Sequence, residues 1–439
     1  VTKVKDGHTV ENTATQVTND KRDKTNTVTN PLKEINPTKD VTVKVGGDSI
    51  DGKSVYLNHT FLYRLDSSIL PPDRAYQTVT DWGGTDQLNT EYDQYLGNWA
   101  VYASRDLYRD GQMLAAKGEK IAGSGFDSSK FGGNLFTVDA DDNGKVTADA
   151  TQTYLDLVSA DNEHEAGWVL YLQCKRIAVA DEVPNTWTET INGQPRESNK
   201  VVTKTPDMTP SIHLEKVDTP TLKQDGQEQA DRDDPKQALK MDADNIGITF
   251  IITNTSKTDP ATGDGAWYKA SDLNLADSTI VGDAHVDMDS LTYPDNWDTL
   301  VLKPGESVSV TGTLKGVKEG DTHTDRAIVT GTPLVECAPS NGDPFNDKTD
   351  GGEDTDPEYS TGDVTEIDGK QLCADTQTTS NTDDWNGYRA KPLASTGTAV
   401  LGLADGALAV LLAGGSLLVF RKRHYAQGSG RHTAVNAGK

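Results

Sequence analysis

Apolar and polar positions alternate in short runs along most of this chain, which is the period of a half-buried strand, and no long apolar stripe at helical spacing is present. Between residues 35 and 205 such runs fall at 41–45, 55–57, 60–65, 99–104, 135–138, 168–178 and 200–203. Turn-forming groups separate them, among them Gly46-Gly47-Asp48, Asp51-Gly52, Pro71-Pro72-Asp73 and Asn143-Gly144, residues whose backbone preferences reverse a chain. The spacing predicts a two-sheet sandwich. A second group of runs, at 211–217, 246–253, 299–302, 307–314 and 326–330, surrounds the turn Lys303-Pro304-Gly305-Glu306 and predicts another sandwich over 206–336. Residues 337–392 are rich in Asp, Gly, Thr and Asn with few apolar positions, and read as an acidic, partly disordered spacer. Residues 1–34 hold too little to close a core, yet Thr25-Asn26-Thr27-Val28-Thr29 alternates like a strand before Asn30-Pro31. They read as the end of a preceding domain. The fold class is therefore all-β: two sandwiches in tandem, then the spacer, then one hydrophobic helix in the segment 393–439.

That helix is the apolar run 398–420, followed by Arg421-Lys422-Arg423-His424. About 20 apolar residues span a bilayer, and a basic cluster behind them stays in the cytoplasm, so everything before residue 393 lies outside the cell. Gly402, Gly406, Gly414, Gly415 and Asp405 make the run a poor permanent anchor. Just ahead of it stands Leu393-Ala394-Ser395-Thr396-Gly397. This three-part arrangement resembles the Gram-positive cell-wall sorting signal, in the Leu-Ala-x-Thr-Gly variant associated with class E sortases. The resemblance implies that a sortase attacks the Thr396 carbonyl, releases Gly397 onward, and passes the acyl group to an amine of the peptidoglycan precursor. Membrane insertion through 398–420 is then transient.

Composition narrows the function. Among 439 residues, 42 Lys and Arg face 68 Asp and Glu, a net charge of −26, which a phosphate backbone would repel; nucleic acid is excluded as a partner. Three cysteines exclude a disulfide-dense scaffold and offer no paired spacing for zinc. The chain starts at Val1 with neither Met nor a basic and apolar leader, as expected after signal-peptide removal or within a longer protein.

Residues 35 to 205 resemble a C-terminal domain of the streptococcal antigen I/II adhesins. The resemblance is carried by Ile35-Asn36-Pro37-Thr38-Lys39-Asp40-Val41, Ile50-Asp51-Gly52-Lys53, Leu57-Asn58-His59-Thr60-Phe61-Leu62-Tyr63-Arg64-Leu65, Lys175-Arg176-Ile177-Ala178-Val179, and Ile191-Asn192-Gly193 with Ser198-Asn199-Lys200-Val201. Thr25-Asn26-Thr27-Val28 resembles the same closing strand of a preceding domain. The family's domains are elaborated immunoglobulin-like sandwiches, many with a spontaneous Lys-to-Asn isopeptide bond. The resemblance puts Lys39 at the first-strand lysine and Asn199 at the last-strand asparagine, with Asp81 as the assisting acid and Asp86 as second choice. Burial would lower the lysine pKa and keep the acid protonated; held together, amine and amide lose ammonia. Joining residues 39 and 199 would restrain the unfolded chain by roughly 5 kcal/mol.

A similar bond in the second sandwich, between Lys216 in a first strand and Asp325 near a last one, is disfavoured, since that segment has the character of generic surface repeats. Cys337 and Cys373, outside the cell, are expected to pair and pin the spacer; Cys174, in Tyr171-Leu172-Gln173-Cys174-Lys175, is expected to be a core thiol. Asp139-Ala140-Asp141-Asp142-Asn143-Gly144 opens like a calcium loop but has Ala150 where a bidentate Glu is needed, so it reads as a hairpin turn. No cofactor is required; calcium is compatible with the acidic loops, with no ligand assigned. HExxH, GxSxG, phosphate-loop and dinucleotide motifs are missing, so no enzyme is expected beyond one self-directed turnover. The chain reads as the wall-anchored stalk of a Gram-positive surface adhesin, projecting an N-terminal head toward a host or bacterial receptor. The alternatives are a sortase-assembled pilus subunit and the stalk of a wall-anchored hydrolase.

Overall fold

A computed structural model describes residues 9–31, 35–74, 78–219, 232–339, 342–345 and 364–392. The pentapeptide 393–397, expected to be a sorting signal, and the apolar run 398–420 lie outside the described residues, within which no helix is long and apolar enough to cross a membrane.

The first sandwich faces two five-stranded sheets. One runs Thr38–Thr42, Thr60–Asp66, Trp168–Arg176, Asp93–Ala103, Lys120–Gly123; the other runs Phe136–Ala140, Lys145–Ala150, Trp82–Gln87, Trp187–Ile191, Gln194–Glu197. Alternation puts Phe61, Tyr63, Leu65, Val101, Leu170 and Leu172 of the first sheet against Trp82, Val146, Ala148 and Trp187 of the second. The strand Trp82–Gln87 was not anticipated, because Gly83-Gly84 and three polar residues dilute its apolar signal. Gly84 is required there: a Cβ would meet the Trp187 ring at 2.7 Å and the Thr188 carbonyl oxygen at 2.4 Å. One helix, Gln152–Ala160, also unforeseen, buries Tyr154, Leu155, Leu157 and Val158 against this core. The turn at Asn143-Gly144 does close a hairpin between Phe136–Ala140 and Lys145–Ala150.

The second sandwich pairs Ile212–Thr219, Ile246–Asn254, Ser307–Lys315 and His285–Val286 in one sheet. Its other sheet orders Leu239–Lys240, Asp383–Tyr388, Thr322–Gly331 and Asn274–Val281. Here the expected boundary at 336/337 is corrected. Asp383–Tyr388 is a central strand, registered with Thr322–Gly331 from Thr322↔Tyr388 to Ala327↔Asp383, and its Trp385 is fully buried. The segment's polar composition hid this because one tryptophan supplies most of the apolar area. Leu334–Glu336, Lys370–Ala374 and Thr365–Ile367 form a small sheet, fastened by the Cys337–Cys373 disulfide with Cα atoms 4.9 Å apart. Cys174 is free and buried, and burial pushes its thiol pKa well up, as suits an inert core residue.

The two sandwiches touch. Ser54 Oγ donates to Asp259 at 2.8 Å and Tyr56 Oη to Asp264 at 3.1 Å. Residues 342–345, just beyond Cys337, lie on the outer face of the first sandwich: Phe345 packs with Leu62, Tyr102, Val169 and Tyr171 while Lys120 Nζ donates to its carbonyl oxygen at 2.9 Å.

At the N-terminus, Thr9–Thr18 and Lys21–Pro31 form a hairpin whose Val10, Val17 and Val28 are exposed. Its sequence repeats the end of the first sandwich at a constant offset of 173: Asn12 corresponds to Asn185, Asn19 to Asn192, Asn26 to Asn199 and Val28 to Val201.

The disulfide closes a 36-residue separation, for which chain entropy gives about 4 kcal/mol. The Cys337→Ala/Cys373→Ala double variant is expected to lose most of that from the second sandwich, read as an earlier denaturant midpoint at unchanged slope; an unmoved midpoint refutes it.

Candidate functional site

Lys39 sits in the strand Thr38–Thr42, whose alternation turns residues 39 and 41 inward. Its ammonium is carried between the sheets, where the side chain is 0% exposed and Nζ lies 4.4 Å from the Tyr63 ring centre. Burial lowers the lysine pKa, and the Asp86 carboxylate pulls the other way. Nζ donates to Asp86, a residue of the opposite sheet that is itself 1% exposed. In a dry interior an ammonium and a carboxylate can exchange one proton to become amine and carboxylic acid, which removes two buried charges. A neutral amine beside a carboxylic acid is the reactive pair that amide formation needs.

Surrounding groups hold this arrangement. Tyr63 Oη donates to Asp93 at 2.8 Å, and Arg176 Nε donates to the same carboxylate at 2.8 Å while its terminal nitrogens reach Thr205 and Thr203. Across the core, Glu189 accepts from the Ser68 N–H, the Ser68 hydroxyl and Trp82 Nε1, tying the sheets together.

Of the three residues that the sequence grouped with Lys39, the structure brings Asp86 to its ammonium and Asn199 to its main chain. Asp81 is not brought to the lysine; its carboxylate accepts from the Gly193 N–H at 3.1 Å at a hairpin end. The acid facing Lys39 is Asp86. Asn199 is close to Lys39 in a different sense: it is exposed, its Oδ1 accepts from the Lys39 N–H and its Nδ2 donates to the Lys39 carbonyl, both at 2.9 Å. An amide paired with main chain extends the sheet, whereas the lysine side chain stands away from that plane. Asn199 therefore holds the strand through the Lys39 main chain.

Sequence reasoning passed over Asn185. It ends the strand Ala180–Asn185, is 6% exposed, and has neither amide atom hydrogen-bonded among the described residues. Two residues on, Trp187 is registered with Asp86 and donates from Nε1 to the Thr38 carbonyl at 3.0 Å, so Asn185 leads into the strand that abuts both Asp86 and the lysine strand. The signal available in the sequence was the repeat Val10-Glu11-Asn12-Thr13 against Val183-Pro184-Asn185-Thr186. Among the described residues no cluster of three His, Cys, Asp or Glu is placed to hold a metal ion.

Comparison with known proteins agrees with this architecture. The profile of the cell surface antigen C-terminus matches residues 36–206, and that of the cell surface antigen I/II C2 terminal domain matches residues 1–32. Over these residues the chain is similar to the C-terminal domains of antigen I/II proteins. The aggregation substance of Enterococcus faecalis is 36% identical over 201 residues, covering 45% of this chain and 14% of that protein. The C-terminal domain of the Streptococcus pyogenes antigen I/II-family protein AspA is 29% identical, covering 45% of this chain and 54% of that one, with a TM-score of 0.39. The Streptococcus agalactiae antigen I/II polypeptide BspA C-terminal domain is 23% identical, covering 45% and 59%, with a TM-score of 0.40. The antigen I/II match makes this a region of a cell-surface protein, and its hairpin 9–31 belongs to a C2-type domain.

Tryptic mapping separates the two asparagines, because Asn185 falls in peptide 177–196 and Asn199 in peptide 197–200. A branched peptide joining 34–44 to 177–196 is expected, lost in Asp86→Ala and retained in Asp81→Ala. A branch to 197–200 would restore Asn199 as the acceptor.

Proposed function

We propose that this antigen I/II chain is the wall-proximal stalk of a surface adhesin, and that its first sandwich closes on itself through an isopeptide bond from Lys39, assisted by Asp86. The observation that carries this reading is the lysine ammonium buried against a single buried carboxylate between two sheets. As a salt bridge alone it would cost desolvation on both partners for little return; as the precursor of an amide its placement has a use. The neutral amine attacks the side-chain amide carbon of Asn185, Asp86 donates a proton to the amide oxygen and then relays one to the leaving nitrogen, and ammonia departs.

Such a bond would lock a span of 146 residues out of any pulling path between the two ends of the domain. At roughly 3.4 Å per extended residue this withholds about 500 Å of chain from extension. A tether that must keep a binding head away from the wall under flow gains from that restriction. Leu393-Ala394-Ser395-Thr396-Gly397, the apolar run and the basic cluster supply the other half of the reading: covalent transfer by a sortase to peptidoglycan. The receptor would be engaged by a head N-terminal to this stalk.

Two measurements test it. Under force, the wild-type first sandwich should release less than a Lys39→Ala control by about the locked length; equal release defeats the mechanical reading. In cells, the full-length protein should be freed by cell-wall hydrolase and not by detergent, with Thr396→Ala reversing that pattern; detergent release of the wild type defeats covalent anchoring.

A further inference from the structure

The second sandwich lies outside both family matches, yet it buries a lysine in a similar way. Lys216, in the strand Ile212–Thr219, is fully buried, and its Nζ stands 5.3 Å from the Phe250 ring centre. It crosses to the opposite sheet, where it meets two carboxylates on adjacent antiparallel strands, Asp277 of Asn274–Val281 and Asp325 of Thr322–Gly331. Both are buried, with side chains 2% and 0% exposed. His323, also buried, lies with Nε2 3.1 Å from Asp325. The lysine strand is held as in the first sandwich: Asn381 accepts from the Leu214 N–H and donates to the Leu214 carbonyl, both at 2.9 Å.

The two carboxyl groups differ. Asp277 accepts a hydrogen bond from Nζ, and burial raises its pKa to about 6, against the pull of Lys216. Asp325 has Nζ only 2.6 Å from Oδ1, yet neither of its oxygens takes part in a well-formed hydrogen bond. One ammonium facing two carboxylates would leave excess charge in a dry interior, which is costly unless a proton is retained on one acid. A nitrogen pressed on a carboxyl group without hydrogen-bond geometry, beside a second acid able to carry a proton, has the placement of a nucleophile before attack.

We propose that Lys216 and Asp325 form an intramolecular amide, with Asp277 as the proton carrier. The Lys216 amine attacks Cγ of the Asp325 carboxyl group, forming the C–N bond. Asp277 takes a proton from the nitrogen and gives one to the departing hydroxyl. The C–O bond breaks and one water leaves, with Asp277 returned to its starting state. No oxidant, metal or co-reactant is needed. The bond would join the two sheets and enclose the span between residues 216 and 325. It differs from the first-sandwich reaction in its leaving group, water in place of ammonia, and neither bond depends on the other.

The test is a tryptic map of the full chain after reduction and denaturation. Lys216 lies in peptide 205–223 and Asp325 in peptide 319–326. The expected result is one branched peptide joining the two, lighter than their sum by one water, in essentially every molecule. Asp325→Asn should give the identical branched peptide through loss of ammonia, and Asp277→Ala should lower its yield at least tenfold. Recovery of the unbranched peptides 205–216 and 217–223 from folded wild-type protein overturns the proposal, whatever the variants do. The first-sandwich bond is read separately, on peptide 34–44.

Discussion

A lysine ammonium buried between two sheets is the constraint around which each sandwich is arranged. Such a charge tolerates no water-free site without a partner, so the opposite sheet must present a carboxylate at the right register. In the first sandwich that requirement fixes Asp86 on Trp82–Gln87 opposite Lys39, and the neighbouring Tyr63, Asp93, Arg176 and Thr203 then satisfy one another in a continuous buried network. In the second, Lys216 makes the same demand on Asp277 and Asp325. Each lysine strand is also gripped by an asparagine amide acting as a piece of main chain, Asn199 on Lys39 and Asn381 two residues before Lys216. Hydrophobic packing builds the layers, and the buried charges set how they are registered.

Covalent restraint follows the same order along the chain. The proposed amides and the Cys337–Cys373 disulfide enclose successive spans that do not overlap, so each restrains its own part of the chain. Between the sandwiches, the hydrogen bonds from Ser54 and Tyr56 and the packing of Phe345 with the carbonyl bond from Lys120 add both polar and apolar contacts. Segment 342–345 leaves the second sandwich and packs on the first, coupling the two bodies more closely than a linker alone would.

What could be read without coordinates depended on how local the signal was. Lys39 was legible because its strand has a recognisable family sequence, and Cys337 with Cys373 because two cysteines in an oxidising compartment have few alternatives. Asp81 was put ahead of Asp86 as the assisting acid because the two lie only five positions apart, and only the sheet register and the lysine's own contact show that Asp86 faces the lysine. Asn199 was chosen for its sequence context, whereas reactivity depends on burial and on an unpaired amide, both of which Asn185 has. The strand Asp383–Tyr388 escaped notice inside a polar segment whose single deeply buried residue is Trp385.

The sequence by itself determined the strand-forming character of the chain, its acidic charge and the likeness of its first 206 residues to antigen I/II C-terminal domains, since alternation, charge and short motifs are properties of neighbouring residues. The tertiary structure alone decided which carboxylate meets each lysine, which asparagine holds main chain and which is left unpaired, and that residues 364–392 complete the second sandwich. Those outcomes depend on strands brought together from 47 to 167 positions apart, and pairing at such distances is fixed by register across a closed core, which no local pattern encodes.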